Sequence, residues 1–247
     1  MIEVKPAERP DETLDTFYKG KILVLQRKNG FRFSVDAPLL ASFIQTKNGD
    51  EILEIGTGCG IIPMLLSVKP FHHIVALEIQ QGLADLAKRN IMLNHLDGRI
   101  TIVEKDFRQY KPWHQFDIVF SNPPYIAKDS GYLSLTEEKN IAKHEILSSI
   151  EEILKATKDW LKSSGSAYFI LPDSRRDEFE AELSQAGLRL KRCRLVYPRE
   201  GEPPNFFLAE CGQIDGKVEI MPPLVLYGQD GKYTEEAEAI FSGPLKK

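Results

Sequence analysis

Asn122, Pro123, Pro124 and Tyr125 follow an apolar run, Phe116 to Phe120, that breaks off at Ser121. Proline cannot donate to a sheet ladder, and it drives the residue before it out of the helical region. A strand therefore ends at Asn122, and the chain beyond it is held extended and rigid. A plain turn would more usually carry Asn-Gly or Asp-Gly. Here an amide, two conformationally locked residues and an aromatic ring stand together, which supplies hydrogen-bond acceptors of fixed direction beside a stacking face.

A second constellation lies upstream. Glu54-Ile55-Gly56-Thr57-Gly58-Cys59-Gly60 follows a short apolar strand and opens a helix, the context of a ligand loop at the carboxyl end of a sheet. Its glycines are spaced G-x-G-x-G, one residue tighter than the G-x-G-x-x-G of a dinucleotide site, so backbone can pack against a ligand that has no pyrophosphate. Glu78 ends the next strand, where a carboxylate can accept both hydroxyls of a ribose. Asp106 ends the third strand, placed to accept from an adenine amino group with Phe107 beside the ring, or simply to cap a turn. A nucleoside without phosphate, held by Glu78 and Asp106 across glycines 56, 58 and 60, suggests S-adenosylmethionine. Cys59 reads as a small buried hydrophobe rather than a nucleophile.

The elements that must position these groups are legible as periodicities. Residues 1–12 read as a flexible leader and 13–247 as one domain: a hairpin and helix (13–47), a catalytic sheet (48–213) and a C-terminal extension (214–247). The hairpin is expected as strand 21–26, an Asn-Gly turn and strand 31–35. Asp36 is placed to cap the following helix, since Pro38 is tolerated in a first turn. From residue 51 on, apolar strands alternate with amphipathic helices, among them one with Leu83, Leu86, Ala87 and Ile91 on a single face. This predicts an α/β fold whose mostly parallel sheet is covered on both faces. The last two strands, near 188–197 and 205–211, have no helix between them and predict an antiparallel pair at the sheet's end.

The chain has 247 residues, of which 42% are hydrophobic and 28% charged, as expected of a soluble globular protein able to bury its own core. No window approaches the ~20 apolar residues of a membrane span. The start of the chain does not read as a signal peptide, and three scattered cysteines form neither a disulfide framework nor a zinc site. A cytoplasmic monomer without a metal is expected. Net charge is −4, yet residues 19–32 and 187–199 each carry five basic side chains and no acidic one. Lys28, Arg192, Arg194 and Arg199 are thus candidates to grip a polyanion, the alternative being solvated strand faces.

With the glycine loop, Glu78 and Asp106 ahead of it, Asn-Pro-Pro-Tyr resembles the motif of class I S-adenosylmethionine-dependent methyltransferases that modify planar amino groups. The resemblance gives the motif a chemistry. The Asn122 side-chain oxygen and the Pro123 carbonyl each accept one N–H, which favours a pyramidal nitrogen and stabilises charge arriving with the methyl group. Tyr125 stacks on the base, an interaction worth ~1–3 kcal/mol.

From about Leu14 to Phe241 the chain is similar to the bacterial tRNA(Val) adenine N6-methyltransferases, which act just 3′ of the anticodon. The specific stretches are G-F-R-F-S-V-D-A-P-L-L-A at 30–41, I-A-K-H-E at 141–145, Y-P-R-E-G-E-P-P-N at 197–205 and P-P-L-V-L-Y-G-Q-D-G-K-Y-T at 222–234. The resemblance implies that Arg32 and Asp36 lie near the cofactor's methionine end, Asp36 being alternatively only a helix cap, and that His144 orders the loop after the motif. The 197–205 loop departs from the family's basic character through Glu200 and Glu202. Related glutamine methyltransferases carry a helical domain for which the ~50 leading residues here are too few, and DNA adenine methyltransferases add a recognition domain not seen here. Methylation of another RNA adenine or of a protein glutamine, and RNA binding without catalysis, are the alternatives.

Overall fold

The computed structural model describes residues 8–29, 32–123 and 150–243. Its first element is an antiparallel hairpin of β1 (Glu12–Phe17) and β2 (Ile22–Arg27), with Phe17 opposite Ile22. This corrects the expected pairing. The strand near 21–26 is present, but its partner precedes it, in residues that begin where a leader was expected to end, and residues 32–35 hold no strand. The turn uses Tyr18 and Lys19 at φ 52° and 55°, then Gly20 at 82°. Bulky residues rarely adopt that left-handed region, so the turn carried no Asn-Gly signature to read.

Helix α1 (Asp36–Phe43) follows. Asp36 is its first helical residue and Val35 its cap position; the carboxylate accepts from the Ala37 N–H and the Ser34 hydroxyl, both at 2.9 Å. The expected alternation then begins with β3 (Glu51–Ile55), α2 (Ile61–Leu66), β4 (His73–Glu78), α3 (Gln81–Leu93), β5 (Ile100–Glu104) and β6 (Phe116–Ser121). It continues with α4 (Ile150–Trp160), β7 (Leu161–Pro172), α5 (Arg176–Gln185), β8 (Arg189–Arg199) and β9 (Phe206–Gly212). The extension supplies β10 (Glu219–Ile220), β11 (Leu224–Tyr227) and α6 (Glu235–Ser242).

Strand order is β5-β4-β3-β6-β7-β9-β8, with β10 and β11 both paired along the outer edge of β8. The pairs from β5 to β7 are parallel, and β9 is antiparallel to both of its neighbours. The expected antiparallel end is therefore present, although the extension then covers it. Side chains alternate across the sheet with the period of two that strands impose. Ile52, Ile74, Ile118, Phe120 and Ile170 face the core beneath α1, α2, α3 and the hairpin, whereas Leu53, Leu77, Val119, Phe169 and Leu171 face the core beneath α4 and α5. No helix among the described residues is long and apolar enough to cross a membrane.

The basic run of β8 is built into this packing. Arg192 is buried: Nε donates to Glu210 Oε2 on β9 at 2.8 Å, Nη2 donates to the Phe43 carbonyl at 3.1 Å, and the guanidinium lies 4.3 Å from the Phe43 ring centre. Removing one partner of such a pair leaves the other charged and desolvated, so Arg192→Leu is expected to destabilise the fold by about 3 kcal/mol, with Lys191 compensating in part. Affinity for a small ligand at the carboxyl ends of β3 and β4, three or more strands away from β8, should not change. Denaturant titration checks this, and a loss below about 1 kcal/mol would mean that the pair does not hold the strand.

Candidate active site

The carboxyl ends of β3, β4, β5 and β6 form one rim, and the glycine loop leaves it from β3. Gly56, Gly58 and Gly60 all have positive φ (79°, 58° and 84°), a conformation that only glycine adopts without strain, three times in five residues. The loop is fastened by its own backbone: the N–H groups of Gly56 and Thr57 both donate to the Leu77 carbonyl at 2.9 Å. Gly58 N–H donates to Glu78 Oε2 at 2.8 Å. A Cβ on Gly60 would stand 3.3 Å from that of Ala87, so α3 packs directly on the loop, whereas a Cβ on Gly56 would meet nothing within 4 Å. The side of the loop at Gly56 is open to a ligand.

Two buried carboxyl groups flank this opening. Glu54 is 1% exposed, and neither of its oxygens has a hydrogen-bond partner among the described residues. Burial pushes its pKa up to about 8, reinforced by the charge of Glu78 and only partly opposed by the nearby Thr57 hydroxyl. Glu78 is also buried and its pKa raised by desolvation, with the N–H groups of Gln80 (2.9 Å, to Oε1) and Gly58 pulling the other way. Each Glu78 oxygen thus accepts one backbone N–H and keeps a lone pair for another donor. S-adenosylmethionine brings an ammonium and ribose hydroxyls. Orphaned acceptors beside an open glycine loop fit such a ligand.

Other expected site residues are placed as follows. Asp106 lies two residues beyond β5 and caps the short 3-10 turn of Phe107–Gln109; it accepts from the Arg108 N–H at 2.9 Å and is held by the Arg108 guanidinium at 2.7–3.0 Å. That guanidinium lowers the pKa of the Asp106 carboxyl. Phe107 stands edge-on to Trp160 with ring centres 6.5 Å apart. Arg32 is tied to the hairpin, donating to Thr13 Oγ1, the Arg27 carbonyl and Asp15 Oδ2 at 2.8–3.1 Å. Lys28 is exposed and donates to the Pro10 carbonyl at 2.8 Å. Arg194 donates to the Pro222 carbonyl and to Glu236, both at 2.9 Å, and Arg199 is exposed near Glu202.

Asn122 and Pro123 directly follow β6, on the same rim as the glycine loop. Register pairs Ile55 with Ser121, and the Ser121 hydroxyl donates to the Ile55 carbonyl at 2.9 Å, so Gly56 and Asn122 leave adjacent strands side by side. Pro123 is buried, lining a small cavity with Ile150, Ile153, Leu154, Phe169 and Phe179. Tyr125 and His144 lie outside the described residues. Cys59 is 3% exposed and its thiol is pushed up to about 12 by burial, which suits the inert role expected of it. One residue in contact with the glycine loop escaped the sequence reading: Asn90 on α3, whose amide holds β2 and the Cys59 carbonyl, while Asn94, the C-cap of that helix, holds β2 without touching the loop. The available signal was a pair of asparagines on a helix face otherwise apolar. Among the described residues no cluster of His, Cys, Asp and Glu could hold a metal ion.

Glu54 gives a test of the pocket with a defined sign. Below pH about 4.5 the carboxyl is protonated in both folded and unfolded chains and has no effect on stability. Above it the unfolded chain ionises while the folded one does not until about pH 8, so stability falls across that window, by on the order of 3 kcal/mol at pH 7. Glu54→Gln should therefore raise the melting temperature of the cofactor-free protein at pH 7–8, converge with wild type near pH 4, and bind S-adenosylmethionine at least ~10-fold more weakly through loss of a charge-assisted bond. A glutamine variant less stable than wild type at pH 8 would show an ionised, paired carboxylate instead.

Residues 32–177, more than half of the chain, match the family model described as methyltransferase small domain. The tRNA1(Val) (adenine(37)-N6)-methyltransferase of Bacteroides thetaiotaomicron is 32% identical over 195 residues, covering 78% of this chain and 81% of that protein. The protein of the same name from Vibrio campbellii is 28% identical, covering 74% and 76%. Among solved structures, the predicted O-methyltransferase Atu636 of Agrobacterium tumefaciens aligns with a TM-score of 0.66 at 20% identity, over 83% of this chain and 94% of that one. Trm5b of Pyrococcus abyssi aligns with a TM-score of 0.56 at 15% identity, over 83% and 57%. At these identities the structural likeness speaks for the class I, Rossmann-like methyltransferase fold alone. Family model and sequence relatives together place the protein: the chain belongs to the methyltransferase small domain family, as a member of the S-adenosylmethionine-dependent tRNA1(Val) (adenine(37)-N6)-methyltransferases.

Proposed function

We propose that the protein methylates the N6 amino group of adenosine 37 in a valine tRNA, the reaction for which its relatives are named. The observation that carries this reading is the register of β3 and β6, which sets the glycine loop and Asn122-Pro123 next to each other at the point where the strand order reverses. That is where open α/β sheets bind ligands. Bound S-adenosylmethionine supplies an electrophilic methyl group. Glu54 and Glu78 hold the donors of the cofactor, and glycine 56 lets backbone approach it.

The adenine amine is a poor nucleophile because its lone pair is delocalised into the ring. Asn122, through its side-chain oxygen, and Pro123, through its carbonyl, accept its two N–H groups and draw the nitrogen towards a pyramidal geometry. The burial of Pro123 against α4, β7 and α5 supports a fixed direction for that carbonyl, so these dipoles need no reorganisation as charge develops. Tyr125 stacks on the base. No strong general base is required, since the methylated nitrogen becomes acidic before it loses its proton. Arg199 and Lys28, whose side chains are exposed, are the basic candidates for phosphate contacts; Arg192 and Arg194 are engaged within the fold. A tRNA substrate would be met in the cytoplasm.

Incubating the enzyme with labelled S-adenosylmethionine and, in parallel, total tRNA, rRNA, DNA and release factor should put label into tRNA as N6-methyladenosine beside the anticodon. Label found only in another substrate would replace this reading. Asn122→Ala and Asn122→Ser should lower kcat by ~10²–10³, while Asn122→Asp, which keeps an acceptor at the same reach, should stay well above both. Cofactor affinity should be nearly constant across the series. A serine variant as fast as wild type would reduce Asn122 to a turn residue.

A further inference from the structure

Helix α3 and its C-cap turn two asparagines, Asn90 and Asn94, onto the backbone of β2. Asn94 Oδ1 accepts from the Leu23 N–H at 2.8 Å while its Nδ2 donates to the Leu23 carbonyl at 2.7 Å. Asn90 does the same at Leu25, at 2.7 and 3.0 Å. The match is geometric: four residues of helix rise ~6 Å and two residues of strand ~6.7 Å, so side-chain amides at i and i+4 can imitate two rungs of a sheet ladder. β1 occupies the other edge of β2, so these amides stand where a third strand would pair.

The two asparagines differ in their remaining hydrogen bonds. Asn94 Nδ2 also meets the Asn90 carbonyl at 2.8 Å and Met64 Sδ at 3.2 Å. Asn90 Nδ2 also donates to the Cys59 carbonyl at 2.9 Å. Cys59 lies between Gly58, which is fastened to Glu78, and Gly60, which is packed on Ala87. Asn90 is fully buried. Its amide is thus shared between the hairpin and the middle of the glycine loop, and removing it would leave an N–H and two carbonyls without partners in a dry interior.

We propose that Asn90 is a positioning residue for the cofactor loop, and that through it the hairpin is a working part of the cofactor site. The proposal rests on the glycine loop holding S-adenosylmethionine, but not on the identity of the methylated substrate. Asn94 is the internal control: it docks the same strand and does not touch the loop.

The test compares Asn90→Ala with Asn94→Ala in a Cys193→Ser background, so that only the buried Cys59 and Cys211 remain. Alkylation of Cys59 reports opening of the loop, and Cys211 is the reference. Asn90→Ala is expected to speed Cys59 alkylation relative to Cys211 about tenfold. It should also raise Kd and KM for S-adenosylmethionine about tenfold, with kcat at saturating cofactor within threefold of the background, as a purely binding effect requires. Asn94→Ala is expected to lower thermal stability comparably, with both readouts within twofold of the background. A second measurement needs no variant. Coupling is reciprocal, so saturating S-adenosylmethionine should slow hydrogen exchange at the Leu25 amide of the wild-type protein.

Cofactor affinity and Cys59 reactivity unchanged in folded Asn90→Ala would overturn the proposal, as would equal changes in both variants. Leu25 exchange indifferent to bound cofactor would overturn it too, and this last result is decisive even if Asn90→Ala fails to fold. A wild-type protein that does not bind S-adenosylmethionine by calorimetry would instead remove the cofactor reading on which the proposal stands.

Discussion

The parallel pairing of β3 with β6 is the constraint from which the site follows. These two strands lie where the sheet changes direction: β4 and β5 extend from one side, β7, β9 and β8 from the other. Loops leaving the two strands diverge, and a crevice opens between them. The last rung is fixed by the Ser121 hydroxyl on the Ile55 carbonyl. A slip of one residue would exchange the two faces of every side chain on β6 and put Val119 where Phe120 packs. A slip of two would carry Asn122 about 6.6 Å from the glycine loop. Neither error is tolerable, because both faces of β6 are buried and Ile118, Val119 and Phe120 belong alternately to different cores.

That crevice is locally unfavourable. It holds a carboxyl with no partner among the described residues and a second buried carboxyl that accepts from the backbone N–H groups of Gly58 and Gln80. Such departures from self-consistency are expected where a ligand completes the structure. The surrounding fold opposes them with completely buried Ile52, Leu53, Val119 and Phe120 on the two central strands, each worth roughly 1.5–3 kcal/mol in removed apolar surface. Glu54 is the clearest such departure, because a leucine or glutamine there would cost the apoprotein less.

The parts of this arrangement that were legible in the sequence are those whose cause is local. Continuous apolar strands alternating with amphipathic helices are recognisable because burial on both faces dictates them, and the glycine loop because its φ angles do. The Asp106 carboxylate was open to two readings from sequence, and the observed capping of the Phe107–Gln109 turn is the more local one. What stayed hidden depends on distant partners. Asn90 and Asn94 look like ordinary polar helix positions until the backbone of β2 is known to lie across them. The hairpin was read one strand late because Tyr18 and Lys19 make its turn without the residues that usually announce one.

Arg192 and Arg194 illustrate the same limit more sharply. A run of five cations on a terminal strand looks like a surface when the strand is considered alone. β8, however, gains a further neighbour from chain some 25 residues downstream, and β10, β11 and α6 close over what would have been an exposed edge. The edge passes to β10 and β11, two and four residues long, and such short edge strands are poor templates for edge-to-edge association. Its cations are then drawn inward or sideways: Arg189 to Asp215, Lys191 to Ser166 and Glu210, Arg192 to Glu210 and Phe43, Arg194 to Pro222 and Glu236. Arg199 alone of the run ends at the carboxyl rim, 5.6 Å from the Tyr227 ring centre and on the same edge of the sheet as Asn122. In a body of net charge −4, what matters for a polyanion is where the outward-facing cations sit. For β8 this is determined jointly by Glu210 of β9, which takes Lys191 and Arg192, and by Asp215 and Glu236 of the extension, which take Arg189 and Arg194, so that Arg199 is left at the rim near Glu202.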